Sequence, residues 1–86
     1  MMLKEIPHND SEYEMEWQKI VICEEICRVM QKKGIDNREL AKRLNLKIGS
    51  ITRMFRGNIN FSLEKLIKIA IALDVRLNVN FKNESE

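Results

Sequence analysis

Residues 37–56, NRELAKRLNLKIGSITRMFR, admit few folds. Leu40, Ala41 and Leu44 have helical spacing, and so do Ile51, Met54 and Phe55, but the two sets do not join into one uninterrupted helix. Asn45, Leu46 and Lys47 lie between them, too few for a loop of their own. Asn45 is of the non-glycine type that best tolerates a left-handed backbone. The pattern therefore predicts a helix over 37–44, a sharp turn about Asn45, Leu46 plugged inward, and a second helix over about 48–56. Small Ala41 falls where the second helix must cross the first. A helix-turn-helix of this kind leaves its second helix available for a nucleic-acid groove.

The flanks supply the rest of a core. Ser11 and Glu14 form a capping-box pattern, and the helix it opens runs to about Lys33 and stops at Gly34. Ile22, Cys23, Ile26, Val29 and Met30 lie along one side of it. Tyr13, Trp17, Ile20 and Cys27 carry the apolar surface round toward another, so this helix needs cover on two sides. Ser62 caps a last helix, ended by Asp74. Leu63, Leu66, Ile67, Ile69, Ala70, Ile71 and Leu73 make that helix apolar nearly all round, as expected of a central core helix. Residues 75–81 then alternate, with Val75, Leu77, Val79 and Phe81 on one face. Such a strand must pair with residues 1–6, with its own copy across a dimer axis, or with another protein. The expected fold class is all-α: a compact four- to five-helix bundle with a central helix-turn-helix and a short C-terminal β-strand. One domain spans 1–86, with an N-terminal arm (1–10), a helical core (11–74), the strand (75–81) and a disordered tail (82–86).

A net charge of +2 says little, but its distribution says more. Residues 1–31 hold three basic and seven acidic groups, whereas residues 32–56 hold eight basic and two acidic; residues 57–86 cancel. The positive field lies on the helix-turn-helix, where phosphates would be met. The longest apolar runs are too short for a membrane span, and Met1 is not followed by a basic-then-apolar leader. The expectation is a cytoplasmic protein with Cys23 and Cys27 reduced and buried. Those two cysteines have helical metal-ligand spacing but no second pair. The one histidine, His8, lies near the start, and the methionines read as core filler. With no Gly-rich phosphate loop and no nucleophile beside a base, neither an enzyme nor a metal or other cofactor is expected.

The elements GIDNRELAKRLNL, SITRMFRGN and FSLEKLIKIAIALDV, in this order and at this spacing, resemble the lambda-repressor-like (Cro and phage-repressor type) helix-turn-helix domains. The resemblance covers about residues 23–75. It implies that the first residues of the second helix, and one a turn later, read base edges: Ile48, Gly49, Ser50 and Arg53. Stepping around that helix from an inward Ile51 agrees, since Met54 and Phe55 fall inward and Gly49, Arg53 and Arg56 outward. Arg53 is foremost, because a guanidinium can donate two bonds to guanine in the major groove. Phosphate contacts are expected from Asn37, Lys47, Arg56 and Asn58, with Arg43 as a further candidate; Lys42 is read as solvating its helix. Two departures stand out. A polar residue often occupies the place of Ile48, and an Arg–Glu ion pair often joins the positions held here by Met30 and Phe55. Exchanging such a pair for packing is often neutral or stabilising.

The function expected is that of a sequence-specific DNA-binding transcriptional regulator, a repressor, acting on double-stranded DNA as a homodimer. An alternative from another class is the antitoxin of a toxin–antitoxin module, with Tyr13, Trp17 and the strand holding a cognate toxin. A third is a protein-bridging coactivator whose basic face docks another protein.

Overall fold

Helix α2 (Asn37–Leu44) begins where the chain offers it an acceptor. Asp36 is extended and its side chain takes the N–H of Glu39 at 2.8 Å, satisfying one of the first-turn donors that a helix leaves unpaired. Ser62 does the same for α4 (Leu63–Ala72), accepting from the N–H of Lys65 at 3.1 Å. With α1 (Ser11–Lys33) and α3 (Ile48–Phe55), these are the four helices of the computed structural model, which describes residues 11–57 and 59–83. Asp36→Ala should lower stability by about 1 kcal/mol, read as a shift of the urea midpoint at constant slope.

Three of the helices end in the same way. Gly34, Asn45 and Asp74 have φ of 70°, 58° and 59°, and the residue after each returns its N–H five positions back. The bonds are Ile35 to Met30, Leu46 to Ala41 and Val75 to Ala70, each 2.9 Å. This closure satisfies the last carbonyls of a helix and reverses the chain in two residues. At Asn45 it makes the turn of the helix-turn-helix as short as the sequence requires.

The core forms where the four helices converge. Leu40, Ile51 and Leu73 are the largest fully buried side chains, and Ile26, Met30, Ile35, Ala41, Met54 and Ile69 complete the cluster. Helix α2 packs against both α3 and α4, and Ala41, with no bulk beyond its β-carbon, is buried at that contact. Phe55 is half-buried against the same cluster that holds Met30, so the two apolar replacements share one core. The Cys23 thiol donates to the Met54 carbonyl at 3.4 Å, tying α1 to the end of α3. Burial, then the neighbouring Cys27, push the Cys23 thiol up from its ordinary pKa, which makes it a poor nucleophile.

Several expectations are corrected here. Leu46 is 51% exposed instead of plugged inward. Its N–H is taken up by the left-handed closure, and its side chain lies on the surface, at a shallow depression that half-buried Leu44 also lines. Residues 75–81, expected as a strand, form neither helix nor strand among the described residues; alternation of apolar residues supplies a face but not the second strand that a ladder needs. Cys27 is exposed, not buried, and Met15 is exposed as well. Helix α4 is covered on one side only: Ile69, Ala70 and Leu73 are buried, while Leu63, Ile67 and Ile71 stand in solvent. The arm, residues 84–86 of the tail, and Asn58 lie outside the described residues. Among those described, no helix is long and apolar enough to cross a membrane.

The first half of α1 stands off the core. Nothing in residues 11–21 is buried, and the first buried residue of the helix is Ile26. At about 100° per residue, Tyr13, Trp17, Ile20 and Val21 share a face nearly opposite that of Ile22, Ile26 and Met30. The apolar content read as one wide stripe is thus two stripes, of which the core takes one.

Candidate nucleic-acid interface

Helix α3 is eight residues long and divides cleanly. Ile51 and Met54 are buried and hold it to α2 and α1; Ile48, Gly49, Thr52, Arg53 and Arg56 are exposed. The inward and outward sets are those its periodicity predicts; of the two other expected base-reading residues, Ile48 is 49% exposed and Ser50 is half-buried. Lys47 precedes the helix without giving it a side-chain cap. The N–H groups of the first turn are thus left without a side-chain acceptor, next to a lysine.

Individual side chains are placed as follows. Arg53 reaches back along the helix, its Nη2 at 3.5 Å from the Ser50 hydroxyl, so two expected base-reading residues share one edge. Thr52 turns its hydroxyl onto the Ile48 carbonyl at 3.3 Å, which removes it from the outer contacts. Gly49 is open: a β-carbon added there would meet nothing within 4 Å, so its flat surface serves whatever approaches from outside. Ile48 and Asn37 line one shallow depression of about 540 Å³, together with Gln31, Asp36 and Arg38. The depression brings the start of α2 and the start of α3 to a common rim. Arg38 and Gln31 belong to that rim and were not picked out from the sequence. The signal for Arg38 was its place beside Asn37 in the first turn of α2; Gln31 gave none, since it arrives from another helix.

Electrostatics sort the cations. Among the described residues, Arg38, Lys42, Lys47, Arg53 and Arg56 have no carboxylate partner. Arg43 is different. Its Nε lies 2.9 Å from Glu39 and its Nη1 donates to the Ala72 carbonyl at 2.9 Å. Lys33 adds a bond to the Asp74 carbonyl at 3.2 Å. The last turn of α4 has no basic residue of its own. The two cations therefore satisfy carbonyls at the negative end of that helix, and the Arg43 guanidinium is committed to holding α2 on α4. Asn58 lies outside the described residues.

A helix-turn-helix family model of the Cro/C1 type matches residues 27–80, which takes in the last third of α1, all of α2 to α4 and most of residues 75–81. Neither the comparison with curated proteins nor that with solved structures finds a match. The match, the left-handed turn at Asn45 and the two-faced α3 agree: the chain belongs to the Cro/C1-type helix-turn-helix family of DNA-binding transcription regulators.

Proposed function

We propose that the protein is a repressor that binds a specific duplex DNA site as a symmetric dimer, with α3 in the major groove. The observation that supports this reading best is the outer face of α3, where open Gly49 and unpaired Arg53 and Arg56 stand together with Lys47. Ile48, Gly49, Ser50 and Arg53 read base edges; Asn37, Lys47 and Arg56 contact phosphates, joined by Arg38 at the rim. Arg43 has its guanidinium engaged elsewhere and contributes to DNA binding only indirectly, by fixing α2. Two recognition helices about 34 Å apart would enter successive grooves. Occupying a promoter in this way excludes polymerase, and the reading carries with it a cytoplasmic location.

The exposed outer stripe of α1 supports a second reading, in which the same domain is an antitoxin and Trp17, Ile20 and Val21 hold its toxin. Copurification of one small basic protein from the native source, lost on Trp17→Glu, is the outcome that reading requires.

Gly49→Ala tests the placement of α3 in the groove. The backbone there is helical and a methyl group has room, so the variant should gain about 0.5–1 kcal/mol of stability. The same methyl group should cost about tenfold in affinity, roughly 1.4 kcal/mol, for the duplex recovered by selection from random sequences. The measurements are urea unfolding and fluorescence anisotropy. A variant more stable and equally tight on DNA would mean that α3 does not reach the groove floor.

A further inference from the structure

Helix α4 has an apolar row that the core does not cover. Leu63, Ile67 and Ile71 recur every four residues, one above another, and are 62%, 42% and 72% exposed. Single apolar residues on a surface are ordinary, but three in line are not. Past the end of the helix come Val75, Val79 and Phe81, exposed by 38%, 61% and 100% on a segment that is neither helix nor strand among the described residues.

We propose that this surface is where two copies of the chain meet, with α4 antiparallel to its counterpart and residues 75–81 of each adding to the contact. The inference deepens the dimer reading above by naming its interface. Ile67 is the middle of the row, so a two-fold axis beside it sets Leu63 of each copy against Ile71 of the other. The charges suit that symmetry. Glu64 and Lys68 flank the row on one side, 3.2 Å apart and both well exposed. Antiparallel pairing brings Glu64 of each copy toward Lys68 of the other and makes a neutral cluster of four. The outer stripe of α1 lacks this property. It is bordered by Glu14, Glu16 and Glu24, of which only Glu16 has a cation, Lys19, beside it, so two copies meeting there would bring an excess of negative charge together. Size argues for including residues 75–81. Three side chains fall short of the roughly 800 Å² per partner that a stable interface buries, and Val75, Val79 and Phe81 are the apolar surface next in line.

Sedimentation of the full chain over a concentration series tests the proposal. The wild type should be dimeric at about 10 μM, and Ile71→Glu should weaken association by at least ~100-fold while helix content by circular dichroism stays unchanged. Phe81→Ser should weaken it by about tenfold or more. Glu64→Lys should also weaken it by gathering four cations, and Lys68→Glu added to it should restore the dimer. Trp17→Glu should leave association unchanged. A wild type monomeric at that concentration overturns the proposal, as does a dimer indifferent to Ile71→Glu or one broken by Trp17→Glu. A titration against a duplex carrying one half-site separates this from the DNA reading. Ile71→Glu that still binds the half-site leaves the assignment of α3 to DNA intact whatever the sedimentation gives; a wild type that binds no duplex ends that assignment and leaves the interface result standing.

Discussion

Arg53→Ala should lose about 1–3 kcal/mol of affinity on the preferred duplex and relax selectivity at one or two base pairs, while hardly changing binding to random duplex. The reason is position. Arg53 projects from the middle of α3, on the face opposite Ile51, with its guanidinium at the Ser50 hydroxyl and no carboxylate holding it. A bidentate contact to guanine is available to it and would be lost whole. Lys47 stands before the first turn of α3, beside the donors that a phosphate would take. Lys47→Ala should weaken specific and random duplexes alike and reduce the salt slope by about one unit. Titrations of both variants at several salt concentrations separate the two roles. If Arg53→Ala weakens both duplexes equally, Arg53 contacts phosphate and the reading face has been assigned to the wrong residues.

Leu40→Ala should cost about 2–5 kcal/mol, a large part of the stability of an 86-residue domain. Leu40 is fully buried where α2 meets its neighbours, and a backbone held by the closures at Gly34 and Asn45 leaves the site little room to collapse. Leu46→Ala removes the same atoms six residues later. There the side chain is 51% exposed, so the loss should stay below about 1 kcal/mol. Urea unfolding of both variants gives the contrast directly. Equal losses would return Leu46 to the interior and undo the surface position described for it.

Leu46, expected inside and found on the surface, shows where the sequence stops being a sufficient guide. Features decided within a few residues are legible in it. The left-handed turn needs only Asn45 and the change of helical phase around it. The start of α2 needs only Asp36 and the N–H three positions on, and the split of α3 into two faces needs only its own periodicity. The outward set containing Gly49, Arg53 and Arg56 was therefore available before any coordinates.

What the tertiary structure alone decided depends on which distant residue comes to lie alongside. Arg43 looks like any basic residue near a DNA-binding helix until the carbonyl of Ala72, twenty-nine positions away, proves to be its partner. Gln31 and Arg38 share a rim with Ile48 only because α1 and α2 are folded against α3. Apolar content can be counted along α1, α4 and residues 75–81, but a count does not say what covers it. The core takes Ile26 and Met30 from α1 and Ile69 and Leu73 from α4. It leaves Trp17 and Ile20, Ile67 and Ile71, and Phe81 outside. Burial is a property of pairs of surfaces, and periodicity describes only one member of each pair.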